Sequence, residues 1–196
     1  MKSSLPILLV AAALLLATVS VSATSADERP DDAQLAEARG LVEAFMSELK
    51  GELMAAMRDG GAVNAIGVCS EEAPRIAADM AAESGWAVGR TSLRVRNPRN
   101  AAGPAERAVL MDFERRAAAG EKVADLEDAR VVREGDLVYL HYMKAIPTSG
   151  LCLQCHGTDL GSEVRDAIAA SYPADAATGF ASGDLRGAFT LVKPLD

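Results

Sequence analysis

The sequence Cys152-Leu153-Gln154-Cys155-His156 constrains how the rest of this chain must be arranged. Its spacing, C-x-x-C-H, is the one with which proteins attach a c-type haem. Two thiols three residues apart on one turn can both reach the vinyl groups of one macrocycle, and the histidine that follows then lies over the iron. The motif therefore predicts one haem c, held covalently by both cysteines, with His156 as an iron ligand.

Two other interpretations of the motif stay open from the residues alone. Cys152 and Cys155 have the spacing of a redox disulfide, although the βαβ setting of a thioredoxin-like motif is not evident. With Cys69, the third cysteine of the chain, these two residues and His156 also make a candidate Cys3His zinc set. That set lacks the second C-x-x-C or H-x-H pair of common zinc sites, so haem is favoured.

The second axial position of the iron has several candidates. Cys69 is the thiol that the motif leaves over, and it ends an apolar stretch in which Gly67 would let a flat ring approach the backbone closely. The competing candidates are His141, the six methionines after Met1, and an open position. A buried cysteine is also commonly just a small core residue, so the residues alone leave this choice open.

The N-terminus has the pattern of a secretory signal peptide. Lys2 precedes an apolar run at 5–21, and small residues follow at 22–26. We expect cleavage after Ala23 or Ala26 rather than an uncleaved anchor, because the run is at the short limit for a helix that spans a bilayer. The expected organisation is a signal peptide at 1–23, a linker at 24–34 and a single domain at 35–196.

The net charge of the chain limits the classes of partner that it can bind. It has 28 acidic and 20 basic residues other than histidine, which gives a net charge of −8 at pH 7. An acidic surface repels phosphate backbones, so nucleic acid is not an expected partner. No second apolar run is long enough to span a bilayer, so no stable membrane insertion is expected after cleavage. The expected location is the periplasm or another exported compartment, where c-type attachment takes place.

Hydrophobic periodicity predicts helices first and a small sheet afterwards. The predicted helices are 33–58, 62–69, 70–83, 104–119 and 162–171, and the predicted strands are 86–96, 123–133, 136–146 and 185–192. Gly60-Gly61 is predicted to stop the first helix, and Ser70 to cap the third. The C-x-x-C-H motif is predicted to lie in a loop. This succession indicates an α+β domain with an antiparallel sheet.

Four ordered segments carry a resemblance to a known family. They are VCSEEAP at 68–74, RTSLRVRNPRN at 90–100, CLQCHG at 152–157 and YPADAATGF at 172–180. Together they are similar to a bacterial family of c-type haem domains, formerly labelled a domain of unknown function, whose structurally known member is a cyanobacterial PAS-like haem protein. The resemblance covers about residues 35–194.

The resemblance implies a fold, a ligand set and a role. The implied fold is a PAS-like antiparallel sheet with N-terminal helices. The implied iron ligands are the motif histidine and a cysteine, which in this sequence are His156 and Cys69. The implied role is electron transfer or redox or gas sensing, with a redox partner protein or a small diatomic ligand as partner. The alternative is a haem enzyme, such as a peroxidase or a nitrogen-oxide reductase, for which His141 is the one evident acid–base group.

An arginine-rich segment suggests how the haem propionates are held. A guanidinium group binds a carboxylate bidentately. Arg94 and Arg96 are the first candidates for this contact, with Arg90 and Arg99 after them. The loop at 172–179 is expected to pack against the edge of the haem.

Export is tested by the mature N-terminus. We expect protein recovered from the periplasm of an expressing cell to begin near Thr24 or Asp27, because small residues of the kind that signal peptidases prefer precede both positions. N-terminal sequencing makes the measurement. A chain that still begins at Met1 and fractionates with membranes would show that the apolar run is an anchor.

Overall fold

The structure, a computed structural model, describes residues 30–195, so the predicted signal peptide lies outside the described residues. The helices are α1 Asp32–Gly67, α2 Ala73–Ser84, α3 Pro104–Ala118, α4 Leu153–His156 and α5 Ser162–Ser171. The strands are β1 Ala87–Thr91, β2 Glu127–Glu134, β3 Leu137–Pro147 and β4 Leu185–Pro194. Over this range no helix is both long and apolar enough to cross a membrane.

The four strands form one antiparallel sheet in the order β1-β4-β3-β2. β2 and β3 are neighbours in sequence and make a hairpin, whose turn contains Gly135 at φ 63°. β4, the last of the described strands along the sequence, lies between β1 and β3. The predicted α+β arrangement, with helices at the N-terminal end and an antiparallel sheet after them, is confirmed.

Helices cover both faces of the sheet because the strand side chains alternate in direction. In β3, Leu140 and Tyr142 pack with α1 and α2 on one face. Met143 and Ala145 pack with α3 on the other face. The apolar core is thus split into two layers by the sheet, and a third, smaller cluster joins α5 to the end of α1.

The N-terminal helices agree with the prediction at their first junction and differ from it at the second. Asp31 caps α1, and Gly60-Gly61 interrupts this range as predicted, because both glycines have non-helical backbone angles, with Gly61 at φ 68°. The chain then continues through a π-helical turn, Val68–Glu72, directly into α2. The predicted N-cap at Ser70 is therefore wrong: its backbone stays helical, and its hydroxyl donates to the carbonyl of Gly67 at 3.0 Å.

The predicted strand at 86–96 is correct only in its first half. β1 ends at Thr91, because the N–H of Ser92 donates to the Asn100 carbonyl at 3.0 Å and the chain leaves the sheet. The Ser92 hydroxyl lies 2.9 Å from the carbonyl of Arg186 and fixes this exit. Residues 123–125 form a short 3-10 turn before β2, and the C-x-x-C-H motif forms α4 where a loop was predicted.

The exit of β1 explains a glycine in the neighbouring strand. A Cβ atom at Gly187, whose φ is 158°, would lie 2.4 Å from the Thr91 carbonyl oxygen. We expect Gly187→Ala to lower the free energy of unfolding by about 2 kcal/mol, because the backbones of β1 and β4 must separate to admit the methyl group. Chemical denaturation of the purified protein measures the loss.

The matched control is Gly89→Ala in β1. There a Cβ atom would contact Thr190 at ordinary distances, 3.6 Å from its methyl group and 3.9 Å from its carbonyl oxygen. We expect its effect to stay below about 1 kcal/mol. Equal losses at the two glycines would show that the close contact with Thr91 is not what selects glycine at 187.

Candidate cofactor site around the Cys-x-x-Cys-His motif

The motif folds as one helical turn that points its three reactive side chains into one space. Cys152 is the N-cap of α4, and its carbonyl accepts from the N–H of Cys155 at 3.2 Å and from the N–H of His156 at 2.9 Å. Cys152, Cys155 and His156 all line the same cavity. The compact turn is what places them on one wall.

The cavity has a volume of about 340 Å³ and lies between α1, α4 and the sheet. Its walls are mostly apolar, with Leu49, Leu53, Ile66 and Phe189 among the residues that form them. This size is within the range of small-molecule sites in proteins. A larger cavity of about 620 Å³ lies against α3, but no cysteine or histidine lines it.

Cys69 reaches the same cavity from the π-helical turn. π-Helical turns inside helices are frequent at functional sites, because the extra residue changes the direction of the side chains that follow. The fold thus brings together four residues that the sequence predicted as site residues, from two parts of the chain more than 80 positions apart: Cys69, Cys152, Cys155 and His156.

The geometry bears on the two other interpretations of the motif. All three cysteines have free thiols, so no disulfide joins Cys152 to Cys155. Between residues 30 and 195, no three His, Cys, Asp or Glu side chains are grouped closely enough to hold a metal ion. The candidate Cys3His zinc set is therefore not assembled, although its members line one cavity.

His156 is held as a neutral imidazole. Its Nδ1 atom lies 2.6 Å from the carbonyl oxygen of Ala177, and since a carbonyl only accepts, Nδ1 carries the proton. Burial, reinforced by the charges of Arg186 and Arg96, lowers the pKa of His156 to about 3. The Nε2 atom therefore keeps its lone pair at neutral pH, which is the form in which histidine ligates a metal.

Basic residues are concentrated around the cavity. The residues within 30–195 that line it include no Asp or Glu, although the chain as a whole has a net charge of −8. Its charged lining residues are Lys50, Arg90, Arg96 and Arg186. The cavity thus has the electrostatics of a site for a ligand that carries carboxylates.

Two of these arginines are short of polar partners. Arg186 donates from Nη1 to the Ser92 hydroxyl and the Arg94 carbonyl, but its Nε is buried without a hydrogen-bond partner. Burial, followed by the charges of Arg96 and Arg90, lowers the pKa of Arg186 to about 10. Burial also lowers the pKa of Arg90, whose guanidinium lies 5.6 Å from the centre of the Phe45 ring.

Arg94 and Arg96, the first candidates for the propionates, both have protein partners. Arg96 forms an ion pair with Asp175, with Nε 3.0 Å from Oδ1. Arg94 donates to backbone carbonyls of the loop that follows α5, including that of Thr178, and its guanidinium lies 4.1 Å from the centre of the Phe180 ring. Their contacts with propionates stay a prediction.

Sequence reasoning missed Arg186. It is an isolated arginine near the start of β4, outside the arginine-rich segment, so no local pattern marks it. Antiparallel pairing of β1 with β4 brings it beside that segment, because Thr91 is the register partner of Ala188. Only the order of strands in the sheet could have identified it.

The fold excludes some of the candidates for the second axial ligand of the iron. His141 lies on the α3 face of the sheet, where its Nε2 is 2.9 Å from the Thr190 hydroxyl, and it does not line the cavity. Burial lowers the pKa of His141, as expected for a neutral core histidine. Met46 and Met57 do line the cavity and remain as alternatives to Cys69.

Comparisons with known proteins agree with this fold. The crystal structure of the cyanobacterial haem protein Tll0287 matches with a TM-score of 0.65 and 24% sequence identity, over 85% of this chain and 98% of that one. Comparison with curated proteins gave no match. The family model described as Tll0287-like matches residues 11–194. A match over nearly the whole sequence means that the chain belongs to the Tll0287-like family.

Proposed function

We propose that this chain is an exported haem c protein that acts in electron transfer or in redox or gas sensing. One haem would be bound covalently through Cys152 and Cys155. The observation that carries the proposal is the shared cavity, which is lined by Cys152, Cys155 and His156 on α4 and by Cys69 on the π-helical turn. Membership of a family whose crystal structure is that of a haem protein supports the same cofactor.

The residues of the cavity fit a haem in both polarity and charge. The apolar walls suit the macrocycle, and the basic residues suit its two propionates. Arg90 and Arg186 are the best candidates for the propionates, because neither has a carboxylate partner among residues 30–195 and the Nε of Arg186 is an unsatisfied buried donor. A propionate beside Arg186 would satisfy that donor.

Cys69 and His156 are the proposed axial ligands. His156 offers a neutral Nε2, oriented by the bond from Nδ1 to the Ala177 carbonyl. Cys69 would ligate ferric iron as a thiolate, which donates electron density to the metal and favours the oxidised state. Haem iron with this ligand set takes up and releases one electron at a low potential.

A redox or sensing role is favoured over an enzyme. General acid–base catalysis needs a titratable group near the reacting atoms. His141, the acid–base candidate of the sequence, lies on the opposite face of the sheet. Within residues 30–195 the cavity lining has no Asp or Glu, and Lys50 and Tyr172 are its titratable groups apart from the cysteines, His156 and the arginines. The proposed partner is a redox protein or a small diatomic ligand, in the periplasm or another exported compartment.

Covalent attachment is tested by extraction. We expect protein made in a host with c-type maturation machinery to keep its red colour after denaturation and acid–organic extraction, because thioether bonds survive both. Haem staining of denaturing gels and the mass of the intact chain measure the attachment. Complete loss of colour into the organic phase would show that the cofactor is not covalently bound.

Variants at the two thiols provide the control. Cys152→Ala combined with Cys155→Ala should give a colourless protein that folds poorly, because an unfilled cavity exposes apolar walls to water. Met54→Leu, an exposed position on α1 outside the cavity, should leave the haem content unchanged. Equal haem content in all three proteins would contradict the assignment of the thiols.

The role of Cys69 is tested by Cys69→Ser. We expect a change from low-spin to high-spin ferric haem in electron paramagnetic resonance, because a serine hydroxyl is a much weaker ligand than a thiolate. The midpoint potential should rise by at least about 60 mV, roughly tenfold in the one-electron equilibrium, because thiolate donation to the ferric state is lost.

If Cys69 is not the second axial ligand of the iron, three further variants identify the residue that is. Met46→Leu and Met57→Leu remove the two cavity thioethers, and His141→Ala removes the histidine on the far face. We expect all three to keep the parent spectrum. A parent spectrum in Cys69→Ser together with a changed spectrum in one of these variants would move the ligand to that residue.

A further inference from the structure

An ion pair buried behind the motif joins two segments that are far apart in sequence. Arg96, in the segment that follows β1, and Asp175, in the loop that follows α5, bond through two nitrogen–oxygen contacts of 3.0 and 3.2 Å. Their side chains are only 7% and 10% exposed. A buried pair costs desolvation energy, so one that is retained needs good geometry and further hydrogen bonds.

Those further bonds go to the motif and to the loop. The Nη2 of Arg96 donates to the carbonyl of Cys155 at 2.7 Å and to the carbonyl of Ala177 at 3.3 Å. Oδ1 of Asp175 accepts from the N–H of Ala177 at 3.1 Å. Burial opposes the ionisation of Asp175, but the bonds from Arg96 and Ala177 outweigh it and hold the pKa of Asp175 below its usual range.

The loop that this pair fixes is the one that orients His156. The carbonyl of Ala177 accepts from Nδ1 of His156 at 2.6 Å. The N–H of Phe180 donates to the carbonyl of His156 at 2.9 Å, and the Phe180 ring stands edge-on to the imidazole at 6.3 Å. Arg96 and Asp175 therefore hold both ends of the contact between α4 and the loop through backbone groups of Cys155 and Ala177.

We propose that the Arg96–Asp175 pair is a positioning device that fixes the ring orientation and tautomer of His156 and thereby lowers the reduction potential of the bound haem. This inference rests on the proposed function. A strong bond from Nδ1 to a carbonyl makes an imidazole a better electron donor, which stabilises ferric iron. The pair keeps Ala177 in place to accept that bond.

An electrostatic role and a positioning role of the pair predict changes of opposite sign in the reduction potential of Arg96→Ala. If the pair acted only through its charges, Arg96→Ala would remove a positive charge near the iron and lower the potential, whereas Asp175→Ala would raise it. If the pair acts by positioning, both changes weaken the bond between His156 and Ala177, and both raise the potential. The sign of the change in Arg96→Ala therefore decides between them.

The experiment is a redox titration of the full-length haem protein with each variant. We expect Arg96→Ala and Asp175→Ala to shift the one-electron equilibrium toward the ferrous state by about tenfold, and the double variant to shift it no further than either single change. Arg96→Lys, which retains the charge but offers no planar fork, should also raise the potential. If Arg96→Ala does not fold, the potential of Arg96→Lys decides between the positioning role and the electrostatic one.

The exposed pair of Arg130 with Asp128 on β2 supplies the matched control. The Nη2 atom of Arg130 lies 2.7 Å from Oδ2 of Asp128. Arg130→Ala should leave the reduction potential unchanged. A lowered potential in Arg96→Ala, or a parent potential in Arg96→Lys, would overturn the positioning role.

A second measurement is independent of the haem. In nitrogen-15 spectra of the imidazole, the parent protein should show a slowly exchanging proton on Nδ1 of His156, and the variants at Arg96 and Asp175 a rapidly exchanging one. This readout applies to the protein without cofactor as well, so failure of haem attachment would contradict the proposed function and leave the positioning role open to test. Unchanged exchange in both alanine variants would overturn that role.

Discussion

The structure depends above all on the insertion of β4 between β1 and β3. This pairing ties the C-terminal strand to a strand near the middle of the chain and to the hairpin that precedes the motif. It sets Arg186 beside the exit of β1 and forces the preceding loop back across α4. The cavity lies between α1, α4 and the sheet, and β4 forms part of its wall by joining β1 to β3.

The cavity shows how an acidic protein can build a cationic site. Acidic residues on the described surface pair with nearby bases, as Glu127 does with Arg39 and Glu121 with Arg116. Behind the motif, the carboxylate of Asp175 pairs with Arg96. The other two arginines that line the cavity, Arg90 and Arg186, are half-buried among apolar residues. A guanidinium charge in such a setting is costly without a partner and favourable beside an anionic ligand.

The sequence allowed the fold class and the motif residues to be predicted, but not the relations between distant segments. Periodicity located α3 and α5 to within one residue, because in short amphipathic helices the apolar pattern begins and ends with the helix. It placed the end of β1 wrongly, since a tertiary bond at Ser92 decides it. Cys69 was identified by its chemistry and by the family resemblance. Arg186 was not, because only strand pairing brings it to the cavity.

The position of β4 also has a consequence for the order in which the molecule can assemble. Among the strands that the structure describes, β1 pairs with β4 alone, and about a hundred residues separate the two strands along the chain. Closing so long a loop is slow compared with forming the β2–β3 hairpin or a helix. A chain that is made from its N-terminus onward therefore exposes the motif before β4 is in place to complete the cavity. The cysteines of α4 are fully accessible during that interval and become half-buried once β4 docks.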